Sequence, residues 1–176
     1  MKEYLTEAII LGVKPRKEHD LVADLYTKDL GRLRAKVVSG HRFLSKFSPH
    51  LNVLNLVTVR LAKKGGFIIT DVLAQSAPEI KKRIRSYELG LELIFLTKSI
   101  VPELNPDLNL WYSLSRAIKE GRVKLGNFLK ILGYDSLSAR CEICGLKNVT
   151  AFSLADQNFL CSDCRVKFPR NKLLYF

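Results

Sequence analysis

Hydrophobic and polar positions divide this chain into two halves with different periods. In the first half the period is two. Residues 5–15, LTEAIILGVKP, open with a β-prone run that ends at Pro15, and LVADLYT (21–27) follows before the turn Lys28-Asp29-Leu30-Gly31. In RLRAKVVSG, Leu33, Ala35 and Val37 fall on one face, with Arg32, Arg34 and Lys36 on the other. In LNVLNLVTVRLAKK, Val57, Val59 and Leu61 share a face with Arg60 opposite, and a register shift near Leu54 suggests a bulge. Gly65-Gly66 then predicts a tight hairpin into FIITDVLA. Five short strands with turn punctuation and no long helix predict a small β-barrel or sandwich over 1–77.

After Pro78 the period becomes helical. Pro78 and Glu79 mark a helix start. Leu89, Leu93, Leu96 and Ile100 form a stripe that Leu91, Ile94 and Phe95 widen, so this helix is expected to be buried on most sides. Asn105-Pro106 is expected to cap a second helix carrying Leu108, Trp111, Leu114 and Ile118, which Gly121 stops. A third carries Leu125, Phe128, Leu129 and Leu132 and stops at Gly133. The fold class is therefore α+β: strands over 1–77, a helical part over 78–140, and a cysteine-bearing end over 141–176.

Composition changes the picture in one direction. Of 176 residues, 47% are hydrophobic, enough for a packed core, and the net charge is +12. The excess is spread along the chain rather than confined to a tail. A folded protein this basic suits a polyanionic partner, of which nucleic acid is the commonest. The row Arg32, Arg34 and Lys36 has no carboxylate within it and makes a candidate phosphate track, with Arg60, Lys63 and Lys64 on the neighbouring hairpin. Otherwise it is a solvated sheet face. Between the strands, GHRFLSKFSPH places Arg42 and Lys46 among aromatic residues, a mixture suited to single strands, although the two Phe also fit as a plug for the barrel end. Lys81, Lys82, Arg83 and Arg85 either extend the track or solvate a helix start.

All four cysteines fall in CEICGLKNVTAFSLADQNFLCSDC. Two CxxC pairs sixteen residues apart fit zinc-ribbon spacing, because each pair wraps one edge of an ion and the loop joins two edges into a tetrahedron. Four thiolates from Cys141, Cys144, Cys161 and Cys164 leave no open position, so such a site is structural. An iron–sulfur cluster or a redox pair is the alternative. Lys147, Arg165, Lys167 and Arg170 lie around the cysteines and could touch phosphate or only neutralise thiolates. No signal peptide and no apolar run near the roughly 20 residues of a membrane span is evident, so a cytoplasmic, membrane-free protein with reduced thiols is expected. Walker, GxGxxG and HExxH patterns are absent. Glu18, Asp20 and Asp24 suit turn and strand positions better than a metal site. A binding protein rather than an enzyme is expected.

The run EHDLVADLYTKDLGRLRAKVVSGHRFLSKFSPHL, with Glu18/Asp20, Thr27 to Gly31, Gly40-x-Arg42 and Ser45-Lys46, and then FLKILGYDSLSARCEICG with a second CxxC, resembles the bacterial RecO DNA repair family over nearly the whole chain. That resemblance implies an OB-fold barrel, a helical domain and a zinc ribbon with Cys141, Cys144, Cys161 and Cys164 as ligands. It implies a recombination mediator that binds single- and double-stranded DNA, anneals complementary strands, and works with RecR to load RecA onto strands coated by single-stranded DNA-binding protein. Family members usually run longer, with more helix around the metal site. Here twelve residues follow Cys164, so docking of the single-stranded DNA-binding protein is expected to be weaker or absent. Two other readings fit the residues: an RNA-binding or ribosome-associated OB-fold and ribbon protein, or a basic scaffold for an acidic protein tail.

Overall fold

A computed structural model describes residues 2–16, 20–38, 47, 49–75 and 78–176. Arg42, Lys46 and the rest of the Gly40-x-Arg42 stretch lie outside the described residues, as does Glu18. Five strands close a barrel in the order β1-β2-β3-β5-β4: β1 (Lys2–Pro15), β2 (Leu21–Thr27), β3 (Gly31–Val37), β4 (Leu56–Lys63) and β5 (Phe67–Ala74). All neighbours are antiparallel except the closing pair, where Ala35 and Lys36 meet Phe67 and Ile68 in parallel. Closure removes the exposed strand edges that would otherwise pair with another chain.

Alternation explains the strands. Leu33, Ala35 and Val37 point into the barrel with Ala8, Ile10, Leu25, Val57, Val59 and Leu61, while Arg32, Arg34 and Lys36 point out. The unbroken apolar run of β1 has a separate cause. Ala8 and Ile10 face the barrel interior, whereas Ile9 and Leu11 face a second core built with the helices, so both sides of the strand are buried. The shift near Leu54 is a turn, not a bulge. Leu54 takes φ +67° just before β4, and the bulge falls later, between Arg60 and Leu61 opposite β5.

Three helices follow: α1 (Ile84–Ile100), α2 (Leu108–Glu120) and α3 (Leu125–Ile131). Pro78 opens only a short 3-10 turn, Glu79–Lys81, and α1 proper starts at Ile84. The cap of α2 is Asp107 rather than Asn105-Pro106. Its carboxylate accepts from the Asn109 and Leu110 amides at 2.8 and 3.1 Å, satisfying donors that the first turn leaves free. Gly121 ends α2 in the left-handed conformation, φ +67°. Burial of α1 is narrower than its composition predicts. Leu93, Ile94 and Leu96 are buried, but Ile84, Tyr87, Leu91 and Phe95 form an exposed stripe.

Barrel and helices share one core. Tyr26, buried on the outer wall of the barrel, stacks on Trp111 with ring centroids 6.3 Å apart, and its hydroxyl donates to the Asp107 carbonyl. Gly31 fits where no other residue would. It has φ +70°, and a Cβ there would stand 2.5 Å from the Asn105 backbone. The chain ends in a three-stranded sheet, β7-β6-β8, formed by β6 (Val149–Ser153), β7 (Asn158–Cys161) and β8 (Leu173–Tyr175). Phe152, Phe159 and Leu174 of this sheet join the helical core.

Candidate nucleic-acid interface and metal centre

The first CxxC precedes β6 and the second begins at the last residue of β7, so the β6–β7 hairpin brings the two pairs together. Each turn is shaped by its backbone. The Gly145 amide, at φ +73°, donates to the Cys141 carbonyl and the Cys141 amide to the Leu146 carbonyl, both at 2.8 Å. The Cys164 amide points at the Cys161 Sγ, 3.4 Å away. All four Sγ atoms lie within 4.8 Å of one another, and the Cys144 and Cys161 sulfurs are 3.6 Å apart. Metal–sulfur bonds of about 2.3 Å in a tetrahedron put sulfurs about 3.8 Å apart, so the donor set fits a metal ion of that geometry. Among the described residues no other group of His, Cys, Asp or Glu converges in this way.

The thiols differ in acidity. Burial opposes ionisation of Cys141, but backbone amides of Cys161, Cys144 and Ile143 outweigh it and bring the thiol down to about 6. Burial, then the neighbouring sulfurs, pushes Cys164 up to about 12. Four apposed thiols cannot share negative charge without a cation between them.

The cations of the barrel wall are engaged with protein groups. Arg32 reaches Asp24 of β2 at 3.4 Å and donates to the Lys98 and Val101 carbonyls at 2.7 and 3.2 Å, holding the end of α1 against the barrel. Arg34 pairs with Glu103 at 2.8 Å, Lys36 with Asp20 at 2.9 Å, and Arg60 with Glu3 at 3.7 Å. The sequence of β3 shows no carboxylate because the partners come from elsewhere: Asp24 faces Arg34 in the β2–β3 register. Lys82 pairs with Glu79, and Lys81 donates to the Asn55 side chain. Burial lowers the Lys81 pKa. Among the described residues, Lys63, Lys64, Arg83 and Arg85 take part in no ion pair.

A cluster that the linear sequence does not announce lies at the hairpin end of the barrel. Lys2 faces Lys63 across β1–β4, and Lys63 faces Phe67 across β4–β5. The Lys2 Nζ stands 5.0 Å from the Tyr4 ring and the Lys63 Nζ 5.2 Å from the Phe67 ring, and the rings are tilted with centroids 6.1 Å apart. Both rings are half-buried against the barrel core. Lys63 is a candidate from the sequence, and strand pairing joins it to Lys2, Tyr4 and Phe67. Arg116, Arg122 and Lys124, in no ion pair among the described residues, line a cleft of about 690 Å³ between α2 and α3 together with Asp107, Glu120, Ala117, Phe128 and Ile131.

Comparison with known proteins agrees with this architecture. Residues 1–70, most of the barrel, match the family model described as recombination protein O, N terminal. Over 180 residues the chain is 26% identical to the DNA repair protein RecO of Rhodopirellula baltica, covering 90% of this chain and 66% of that protein. It is 24% identical over 195 residues to the RecO of Caldanaerobacter subterraneus, covering 100% and 79%, and 25% identical to that of Geobacter metallireducens, covering 93% and 73%. The chain thus spans between 66% and 79% of the length of these relatives. With the barrel matched by the family's N-terminal model and the likeness continuing through helices and ribbon, the chain is similar to RecO DNA repair proteins over nearly its whole length.

Proposed function

We propose that this protein is a DNA-binding recombination mediator. It holds single- and double-stranded DNA on the barrel, brings complementary strands together, and makes and breaks no covalent bond itself. The cluster of Lys2, Tyr4, Lys63 and Phe67 carries this reading. Ammonium groups without carboxylate partners meet phosphates, and half-buried rings offer faces to bases, which is how sequence-independent single-strand binding works. Arg32, Arg34, Lys36 and Arg60 have carboxylate partners that a phosphate would have to displace, so they are weaker contributors than Lys2, Lys63 and Lys64.

The metal in the ribbon is zinc, an ion for which four thiolates at tetrahedral spacing are a fitting shell, and its role is to hold the ribbon folded. The protein assists RecA loading together with RecR, in the cytoplasm. Among the described residues, no helix is long and apolar enough to cross a membrane. Arg116, Arg122 and Lys124 offer charge to an acidic tail, but Asp107 and Glu120 line the same cleft, so docking of the single-stranded DNA-binding protein is weak or absent.

Strand annealing tests the reading. Two complementary labelled DNA oligonucleotides are mixed with and without the protein at low and moderate salt. Acceleration that fades with salt is expected, because each neutralised phosphate on a single strand contributes about 0.7 to the slope of log affinity against log salt. The double variant Lys2→Gln/Lys63→Gln is expected to lower that slope by about 1.4 on the same basis. Binding without acceleration, or a preference for RNA of equal length, would refute the mediator role.

A further inference from the structure

The ribbon carries a group of cations unlike those of the barrel wall. Arg165, Lys167, Arg170 and Lys172 fall on two short 3-10 turns, Arg165–Lys167 and Arg170–Lys172, between the second cysteine pair and β8. The sequence contains no Asp or Glu from Arg165 to its last residue. None of these four cations takes part in an ion pair among the described residues. Each is thus available to an anion without first giving up a carboxylate.

Apolar surface lies beside them. Arg165, Val166, Phe168, Arg170 and Tyr175 line a cavity of about 430 Å³, within the range of about 300–1,000 Å³ usual for ligand pockets. Val166 is 77% exposed, and Tyr175 also reaches solvent. The Arg165 guanidinium carbon lies 5.1 Å from the Tyr175 ring centroid, and its Nη1 donates to the Thr150 hydroxyl at 3.2 Å. This fixes a cation-on-ring layer at the cavity wall, and Arg170 lines the same cavity. Aromatic faces and guanidinium planes are the surfaces on which unpaired bases stack, and free cations alongside are what their phosphates need. An acidic peptide would use the cations but not the stacked layer.

We propose that this cavity is a second binding site for single-stranded nucleic acid, separate from the barrel cluster. A base stacks on the Arg165–Tyr175 layer against Val166 and Phe168, and the flanking phosphates lie on Arg165 and Arg170. The proposal rests on the nucleic-acid reading above and adds a place. A strand held at both barrel and ribbon is presented along its length, which suits a protein that must offer it to a complement.

The test uses the full chain loaded with metal and an oligothymidylate carrying photoreactive 5-iododeoxyuridine. Crosslinks are expected on a peptide containing residues 165–176, besides those on the barrel. Arg165→Gln/Arg170→Gln is expected to lower the salt slope by about 1.4 and to weaken binding about tenfold. Tyr175→Leu keeps an apolar residue in β8 and is expected to weaken binding about fivefold or more with the slope unchanged. Unaltered metal content in each variant serves as the check on ribbon folding. Crosslinks confined to the barrel, with affinity and slope unchanged in the double arginine variant, would overturn this site and leave the barrel reading standing. Displacement of the ribbon crosslink by polyglutamate but not by unlabelled oligothymidylate would assign the cavity to an acidic peptide and also overturn it. Failure of the unmodified protein to bind any single strand would remove both readings together.

Discussion

The barrel and the ribbon are small β-structures in one chain, yet they are held together differently. The barrel closes five strands around a separate, mostly apolar interior that includes Ile10, Leu25, Leu33, Val59 and Leu61. The ribbon's own cluster consists of Cys141, Ala151, Leu160, Cys161, Cys164 and Leu173, so half of it is sulfur. A unit that small cannot bury enough apolar surface to offset its chain entropy and needs a staple. Burial spreads stability over many residues, while a metal held by the four cysteines would concentrate it in four.

The largest effect follows from that concentration. Chelation, or Cys161→Ser, is expected to abolish metal binding and unfold β6–β8, since structural zinc supplies about 10–16 kcal/mol of apparent binding energy. Amide hydrogen exchange should show lost protection in 141–176 with β1–β5 still protected. DNA affinity should then fall only by the share that Arg165→Gln/Arg170→Gln removes. A collapse of both regions would break the comparison. The barrel counterpart is Leu33→Ala, 1% exposed, which is expected to cost about 3 kcal/mol in denaturant unfolding while metal content stays full under native conditions.

Two arginines on one strand sharpen the point further. Arg32→Gln removes a partly buried partner of Asp24 and the donor to two carbonyls, for an expected loss of about 2 kcal/mol. Arg34→Gln breaks an exposed pair with Glu103 and is expected to cost less than about 1 kcal/mol. Equal losses would mean that Arg32 does not clamp α1 to the barrel.

The smallest effect is one of pH. The hydrogen bond from Gln75, opposed by burial and helped by Lys28, holds the Glu7 carboxyl below its usual 4.5. A depressed folded-state pKa gives stability that is present above the unfolded value and lost as pH falls through the folded one. Glu7→Gln should therefore lower stability slightly at neutral pH and flatten the acid limb below about pH 4.5, so that variant and parent converge in acid.

Features set by neighbours along the chain were legible in the sequence. The inward face of β3, the Gly65-Gly66 hairpin, the Gly121 stop and the paired cysteines each depend on residues a few positions apart. What pairing across strands decides was not. Arg32, Arg34 and Lys36 read as an open phosphate track because Asp24, Asp20 and Glu103 approach them only in the folded chain. The same blindness hid Lys2, Tyr4 and Phe67, which strand pairing brings to Lys63. The leucine content of α1 likewise could not show which stripe would find a neighbour and which would remain open at Ile84, Leu91 and Phe95.

The shared core beneath the barrel has a consequence for how this protein can be cut or recombined. Ile9, Leu11, Tyr26 and Leu56 belong to the strands, yet their packing partners are Ile80, Trp111, Leu114 and other residues past position 78. A fragment ending at residue 77 would carry those side chains into water as a sticky outer wall, and its closed interior would not prevent that. The unit that can be moved between proteins as a soluble module is therefore the barrel with its helices. A gene fusion or deletion library scored for solubility should tolerate breakpoints poorly throughout that stretch, however clean the change of secondary structure at Pro78 looks.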